Sequence, residues 1–257
     1  MKRALMFAVG IFLGVVAAVT LVHAAHQVLP AYITAAVSDP ARPESDTKRD
    51  ADRKPAECLA FAGVKPGERV ADLVPGGGYF TRLFSAVVGP SGRVYAVAPP
   101  SRPGAAPDAP PPAAPVQALA ADPHYGNVTV LVQKFDELAL PENLDLVWTS
   151  RNYHDFHNIP NVNVVDIDKA ILKALKPGGI YIVLDHVAPK GSGFSETSNT
   201  HRIDPEAVKT EVVSAGFKYV GASNVLHNPQ DPHTEKVFDS SIKDHTDQFI
   251  LKFEKPK

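Results

Sequence analysis

A buried strand, a glycine turn and an amphipathic helix follow one another near the end of the first third of the chain. Residues 70–74 (VADLV) are apolar and rich in β-branched side chains, which is typical of a buried parallel strand. The glycines Gly76, Gly77 and Gly78 follow, and residues 79–88 then place apolar side chains at helical spacing. Because glycine lacks a Cβ, such a turn lets a ligand approach backbone N–H groups at the start of a helix. The segment therefore predicts an α/β fold with a ligand site beside its first strand.

Strand and helix patterns continue to alternate after this segment. Further strands are predicted at 93–97, 127–133, 144–150 and 180–187. Helices are predicted at 164–175 and 205–215, and the last two strands at 216–226 and 248–254. This alternation predicts a doubly wound, Rossmann-like α/β sheet that is mostly parallel.

The N-terminus has the three parts of an export signal. Lys2 and Arg3 precede an apolar run over residues 4–22, and small residues around Ala24 offer a cleavage position. We therefore predict a signal peptide over residues 1–24 and an exported, periplasmic protein. An uncleaved N-terminal anchor is the alternative, because the apolar run is long enough to reach across a bilayer.

Two other stretches are predicted to lie outside the regular fold. Residues 38–54 are dense in both charge signs, which favours a polar linker over residues 25–52 that turns helical near Asp50, and the main domain then covers 53–257. Residues 99–115 are almost entirely Pro, Ala, Gly and Ser, which predicts a flexible insertion in place of a helix after the second strand.

The charge balance limits the class of partner. The net charge of −2 gives no basic footprint, so nucleic acid is not an expected partner. A hydrophobic content of 44% in 257 residues is enough for a substantial core. Apart from the possible N-terminal anchor we expect no membrane contact, and a glycine turn of this kind favours a small-molecule ligand.

Hydrogen-bonding side chains cluster directly after the fourth predicted strand. The loop 151–157 (RNYHDFH) contains Asn152, Tyr153, His154 and Asp155, at the sheet edge where parallel strands meet a ligand. His154 or Tyr153 could accept a proton from a nucleophile, with Asp155 orienting the imidazole. The alternative is that these polar groups only bind the loop to its neighbours.

Six stretches resemble an exported family of class I S-adenosylmethionine (SAM)-dependent methyltransferase-like proteins of bacteria: KPAECLAFAGVKPG, DLVPGGGYFT, SRNYHDFH, LKPGGIYIVLDH, HRIDPEAVKTEVVSAGF and the tail from NPQDPHT to DQFILKF. The resemblance implies a class I methyltransferase sheet that ends in an antiparallel hairpin, with SAM as cofactor. It also implies cofactor-binding roles for Asp72, Gly76, Gly77 and Gly78. Asp136, in the stretch FDELALP, corresponds to an acid near the adenine amino group.

The sequence departs from that family pattern at two positions. Val74 occupies the place of the first glycine of the turn, and Ala98 the place of the acid that holds the ribose hydroxyls. A SAM-dependent methyltransferase with an unknown acceptor is the leading hypothesis, and a non-catalytic ligand-binding protein on a degenerate methyltransferase scaffold is the alternative. The histidines from His154 onward follow no zinc spacing, so no metal site is predicted.

Overall fold

The computed structural model describes residues 29–102, 104–106 and 108–257. The predicted signal peptide therefore lies outside the described residues. No helix in the described ranges is both long enough and apolar enough to cross a membrane. The described strands form one seven-stranded sheet. They are β1 (Arg69–Leu73), β2 (Arg93–Ala98), β3 (Val128–Val132), β4 (Leu144–Ser150), β5 (Leu175–His186), β6 (Lys218–Ser223) and β7 (Gln248–Glu254).

The sheet has the order β3-β2-β1-β4-β5-β7-β6. The first five strands pair in parallel, whereas β7 runs antiparallel to both β5 and β6. This arrangement confirms the predicted doubly wound, mostly parallel sheet with an antiparallel C-terminal hairpin. The glycine turn after β1 and the polar loop after β4 come to the same edge, because β1 and β4 are adjacent and parallel.

Helices cover both faces of the sheet. They are α1 (Ala31–Val37), α2 (Glu44–Thr47), α3 (Asp50–Arg53), α4 (Pro55–Ala62), α5 (Tyr79–Val88), α6 (Ala114–Ala121), α7 (Tyr153–Phe156), α8 (Val164–Ala174) and α9 (Pro205–Ser214). One core lies under α1, α4, α5 and α6, and the other lies under α7, α8 and α9. Trp148 of β4 is fully buried in the first core, with its ring 4.6 Å from that of Phe80.

The fifth strand begins earlier than its apolar pattern indicates. Residues 175–179 (LKPGG) read as a helix stop, yet β5 starts at Leu175, which pairs with Leu144 before a bulge. Gly179 permits this pairing, because a Cβ there would lie 3.0 Å from the Leu144 carbonyl oxygen.

The predicted polar linker over residues 25–52 is wrong for its described part. Helices α1, α2 and α3 pack on the domain, and Ile33 and Ala36 are almost fully buried. The dense charges do not keep the segment in solvent because most of them are paired. The Arg42 guanidinium donates to both carboxylate oxygens of Asp50, at 2.8 and 2.6 Å.

The insertion over residues 99–115 is only partly as predicted. Its described residues up to Ala113 form no helix or strand. A helix nevertheless follows the second strand, because α6 begins at Ala114 and accepts Pro115 in its first turn, where no backbone donor is needed. Val116 and Leu119 anchor this helix in the core, so the prediction that the insertion replaces a helix is wrong.

Candidate active site

A cavity of about 480 Å³ opens at the carboxyl ends of β1, β4 and β5. Its volume lies within the range of about 300–1,000 Å³ that is usual for small-molecule sites. The turn after β1 forms one wall and the loop after β4 another. The remaining walls come from residues 46–53 near the start of the described chain and from residues 237–244 near its end.

The three glycines of the turn have different surroundings. Gly76 and Gly77 line the cavity, and an added Cβ at either would have no described atom within 4 Å. Gly78 does not line it, and its Cβ would lie only 2.7 Å from Leu119 Cδ1. We infer that Gly76 and Gly77 leave room for a ligand, whereas Gly78 permits α6 to pack against the turn.

Val74 takes the left-handed backbone conformation that glycine favours, with φ of 51°. A β-branched residue in this region is strained, because its Cβ crowds the backbone. The family pattern has a glycine at this position, and the turn keeps a glycine-like backbone here despite the substitution. The Val74 N–H donates to the Val97 carbonyl at 2.9 Å, which holds the strained residue between β1 and β2.

Asp72 lines the cavity but is only 3% exposed. Thr81 Oγ1 of α5 donates a hydrogen bond of 2.6 Å to its Oδ2. Burial disfavours the charged carboxylate and outweighs this hydrogen bond, so that the pKa of Asp72 is raised to about 7. The carboxyl group therefore changes charge near neutral pH.

His154 is held by a carboxylate from the neighbouring strand. Its Nδ1 lies 2.8 Å from Asp185 Oδ1, and its backbone N–H donates to Asp185 Oδ2 at 2.9 Å. Burial lowers the pKa of His154, but the charge and hydrogen bond of Asp185 outweigh burial, and the net pKa is raised above its usual value. With Nδ1 donating to the carboxylate, Nε2 of the neutral ring is the proton-accepting nitrogen.

The prediction that Asp155 orients the imidazole is therefore wrong. Asp185 orients it, while Asp155 is about half exposed and places its Oδ1 3.5 Å from His154 Nε2. The reason is the short helix α7, in which successive side chains point about 100° apart. Asp155 consequently lies on the open side of the cavity, facing His154 Nε2 and His201.

Tyr153 does not share the cavity with His154, contrary to the sequence prediction. The side chain is fully buried in the opposite core, and its hydroxyl lies 2.8 Å from both Asp168 Oδ2 and Glu211 Oε2. Burial and these acidic neighbours raise the pKa of Tyr153 well above its usual value, so it is a structural residue rather than a proton acceptor.

The other two candidates differ in position. Asn152 lines the cavity, and its Nδ2 donates to the carbonyls of Val74 (3.2 Å) and Ser150 (2.6 Å), which fixes the turn after β1 to the end of β4. Asp136 is exposed in a 3₁₀ turn after β3 and does not line the cavity. Its predicted cofactor role stays a prediction.

Several residues at or beside the cavity were not singled out by the sequence patterns. Asp185 is the second-last residue of β5, and its strand position was the only signal for it. Arg49 lies in the segment predicted as a linker and Arg53 directly follows it, while Lys243 lies in the long segment between β6 and β7. Their charged surroundings in the sequence look like those of any solvated segment, so pattern alone could not place them in a cavity.

One group of side chains among the described residues has the composition of a metal site. Ligand atoms of His154, Asp155 and His201 lie within 4.8 Å of one another. Exposed acidic groups commonly have this arrangement without a metal, and Asp155 is exposed. The expectation that the chain has no metal site stays a prediction.

No protein-family model matches the chain. Two curated relatives carry the name ubiquinone/menaquinone biosynthesis C-methyltransferase. The protein from Pasteurella multocida is 29% identical over 197 residues, covering 71% of this chain and 65% of the relative. The one from Pseudoalteromonas translucida is 26% identical over 207 residues, covering 75% and 73%. The chain thus spans slightly less than two thirds of the first relative and somewhat more of the second.

Solved structures share the fold at lower identity. A SAM-dependent methyltransferase from Aquifex aeolicus superposes with a TM-score of 0.54 at 16% identity, covering 80% of this chain and 97% of that one. The [4+2]-cyclase SpnF superposes with a TM-score of 0.59 at 18% identity, covering 80% and 81%. At such identities the likeness concerns the fold alone.

The strand order, the antiparallel hairpin and the glycine turn together define a class I methyltransferase-like fold. The chain is similar to class I SAM-dependent methyltransferases, and its curated relatives are named as C-methyltransferases of quinone biosynthesis. The reaction of this chain itself is inferred from the residues of the cavity.

Proposed function

We propose that the chain is a SAM-dependent methyltransferase that acts on a small-molecule acceptor. One observation carries the proposal: the open glycines of the turn line the same cavity as His154, which the buried Asp185 holds from behind. A cofactor site and a proton acceptor are thereby brought together, as transfer of a methyl group to a nucleophile requires. The relatives named as C-methyltransferases support the same reaction class.

The residues of the turn fit the cofactor. Gly76 and Gly77 leave free space beside the start of α5. The nearby Asp72 carboxyl group can attract a positive group when it is ionised, above its pKa of about 7. SAM, when bound, would supply a methyl group activated by its positively charged sulfur. Ala98 offers no carboxylate at the end of β2, so this chain would hold the cofactor without that contact.

The chain's own residues would then act on the acceptor. Asp185 fixes the His154 ring and stabilises the positive charge that the ring gains when Nε2 accepts a proton. Asn152 keeps the turn and the end of β4 at a fixed separation. The rest of catalysis is positioning of two reactants in one cavity, which alone can supply several powers of ten in rate.

The cofactor assignment is tested by calorimetry with S-adenosylhomocysteine and a matched pair of variants. Gly77→Val adds a side chain in the cavity at a position without positive φ, so the fold should be retained while binding is lost. Gly78→Val adds one against Leu119 instead, so it should lower stability first. Equal affinity of the wild type and Gly77→Val would remove the turn from the cofactor site.

A non-catalytic ligand-binding protein is the second candidate. Val74 and Ala98, the two departures from the family pattern, favour it. The [4+2]-cyclase among the structural neighbours shows that this fold is not restricted to one named activity. A chain that binds small molecules in the cavity but does not bind S-adenosylhomocysteine would support this candidate against the first.

We also propose that the protein is exported to the periplasm, on the basis of the N-terminal signal pattern. Cell fractionation combined with N-terminal sequencing of the purified protein tests this. A mature N-terminus near Ala24 or Ala25 in the periplasmic fraction is expected, and an intact Met1 in the cytosolic fraction would contradict it.

A further inference from the structure

Four cationic side chains line the cavity, and none forms an ion pair with any described residue. They are Arg49 directly before α3, Arg53 at the end of α3, Arg151 after β4, and Lys243 in the segment between β6 and β7. Cations in a partly buried site are normally paired, because an uncompensated charge removed from water is costly. The arrangement therefore indicates that the compensating negative charge comes from a ligand.

Arg151 is only partly exposed, as are Arg49 and Arg53, whereas Lys243 is exposed. Burial, together with the positive charge of Arg49, lowers the pKa of Arg151 to about 10. No hydrogen bond joins its guanidinium to another described residue, and its backbone is held at φ of 61°, where its N–H donates to the Leu184 carbonyl at 2.7 Å. The chain thus holds this residue in an unfavourable conformation and leaves the charged end unpaired in the cavity.

Arg53 and Arg49 extend the positive charge toward Tyr79 at the start of α5. Their guanidinium carbons lie 4.4 and 5.9 Å from the centroid of the Tyr79 ring. The Nε of Arg53 is buried and has no hydrogen-bond partner among the described residues. Contact with an aromatic face restricts a guanidinium without neutralising it, so these groups remain able to bind an anion.

The acidic residues of the cavity do not cancel this charge. Asp46 is paired with Arg82 at 3.0 Å, and Asp72 is largely uncharged below its pKa of about 7. Asp155 faces two histidines on the open side. Asp244 attracts Arg151 but makes no hydrogen bond with it.

We propose that the cavity binds an acceptor carrying an oxyanion, a carboxylate or a phosphate group, and that Arg151 and Arg49 are its principal partners. This deepens the proposed methyl transfer and rests on it. Guanidinium groups match the geometry of both oxyanions, because they present paired N–H donors. The aromatic rings of Phe80 and Phe238 also line the cavity, so an aromatic acid is a suitable probe.

Fluorine NMR titration with three probes of similar shape tests the charge requirement. 4-Fluorobenzoate and 4-fluorophenyl phosphate carry the oxyanion, whereas 4-fluorobenzamide is neutral. We expect at least one anion to bind about tenfold more tightly than the amide, and its preference over the other anion to show which oxyanion the site favours. Equal affinity for all three probes, or no binding of either anion, would overturn the proposal.

Substitutions of single arginines test where in the cavity the anion binds. Arg151→Gln and Arg49→Gln should each weaken anion binding about tenfold and leave amide binding unchanged. Arg93→Gln is the matched control, because Arg93 is exposed at the start of β2, on the opposite edge of the sheet. If Arg93→Gln weakened binding as much as the cavity variants, the effect would be general electrostatics and the assignment would fail.

The same titrations in the presence of saturating S-adenosylhomocysteine separate this inference from the proposed function. Retained anion binding is expected, because the acceptor and the cofactor occupy different parts of the cavity. Displacement of the anion by S-adenosylhomocysteine would mean that the arginines serve the cofactor's own carboxylate, which overturns the inference alone. If S-adenosylhomocysteine does not bind, the proposed function fails, and an anion that binds is then a ligand of the cavity and not a methyl acceptor.

Discussion

Replacing Asp72 by Asn should stabilise the protein above neutral pH. The side chain is almost completely buried, and an Asn can still accept the hydrogen bond from Thr81 Oγ1. The folded-state pKa of about 7 lies above the ordinary value of 3.8, so folding favours the protonated form. The wild type therefore has its full stability below about pH 4 and loses stability as the pH rises toward 7.

The structure sets the size of this effect. A difference of about three pKa units, at 1.36 kcal/mol each, gives a gain of at most about 4 kcal/mol for Asp72→Asn at pH 8. Little or no gain is expected below pH 4. Urea unfolding of both proteins across this pH range measures the difference, and a gain of this size should move the midpoint at pH 8 by more than about 1 M.

Asp136→Asn is the matched control, because that carboxylate is exposed and its replacement should leave the pH profile of stability unchanged. Parallel stability–pH curves for the wild type and Asp72→Asn would refute the reasoning. They would mean that Asp72 is ionised in the folded protein without penalty, with a counter-charge that the described contacts do not include.

Three other changes have defined outcomes. His154→Ala should lower methyl transfer by about 100-fold or more while leaving S-adenosylhomocysteine affinity almost unchanged in calorimetry; full activity would mean that the site acts by positioning alone. Asp185→Asn should move the acidic limb of the kcat/KM–pH profile to lower pH, because the carboxylate is what raises the His154 pKa, and an unchanged limb would assign it to another group. Val74→Gly should raise S-adenosylhomocysteine affinity, with stability changed by no more than about 1 kcal/mol, since relief of backbone strain offsets the added flexibility of glycine; lower affinity would contradict this.

The sheet could be predicted from the sequence because strand and helix periods are local properties. Residues 144–150 and 248–254 were predicted with the bounds that the structure has. The start of β5 was not predicted. Its pairing with Leu144 depends on a bulge and on Gly179, and neither changes the spacing of apolar residues from which strands are predicted.

The site was less predictable, because it depends on contacts between distant residues. The sequence placed His154 at the correct edge of the sheet, but its partner Asp185 is 31 positions away on another strand. Asp155 is next to His154 in the sequence, yet its carboxylate lies 3.5 Å from Nε2, on the open side, and the hydrogen bond to the ring comes from Asp185. The short helix α7 determines which side of the sheet Tyr153 faces, and the composition of the loop does not predict it.

Two segments that are far apart in the sequence both contribute to the wall of the cavity. Residues 46–53 form one part of the wall and residues 237–244 another, and a 3.3 Å contact joins Asp52 to His245, which directly follows the second segment. Lys54 Nζ also donates to the Val225 carbonyl at 2.7 Å. The binding site therefore depends on both segments being in place at once. A single cut in either wall would open the cavity while leaving the strands intact, so ligand binding is a more sensitive measure of an undamaged molecule than secondary structure content.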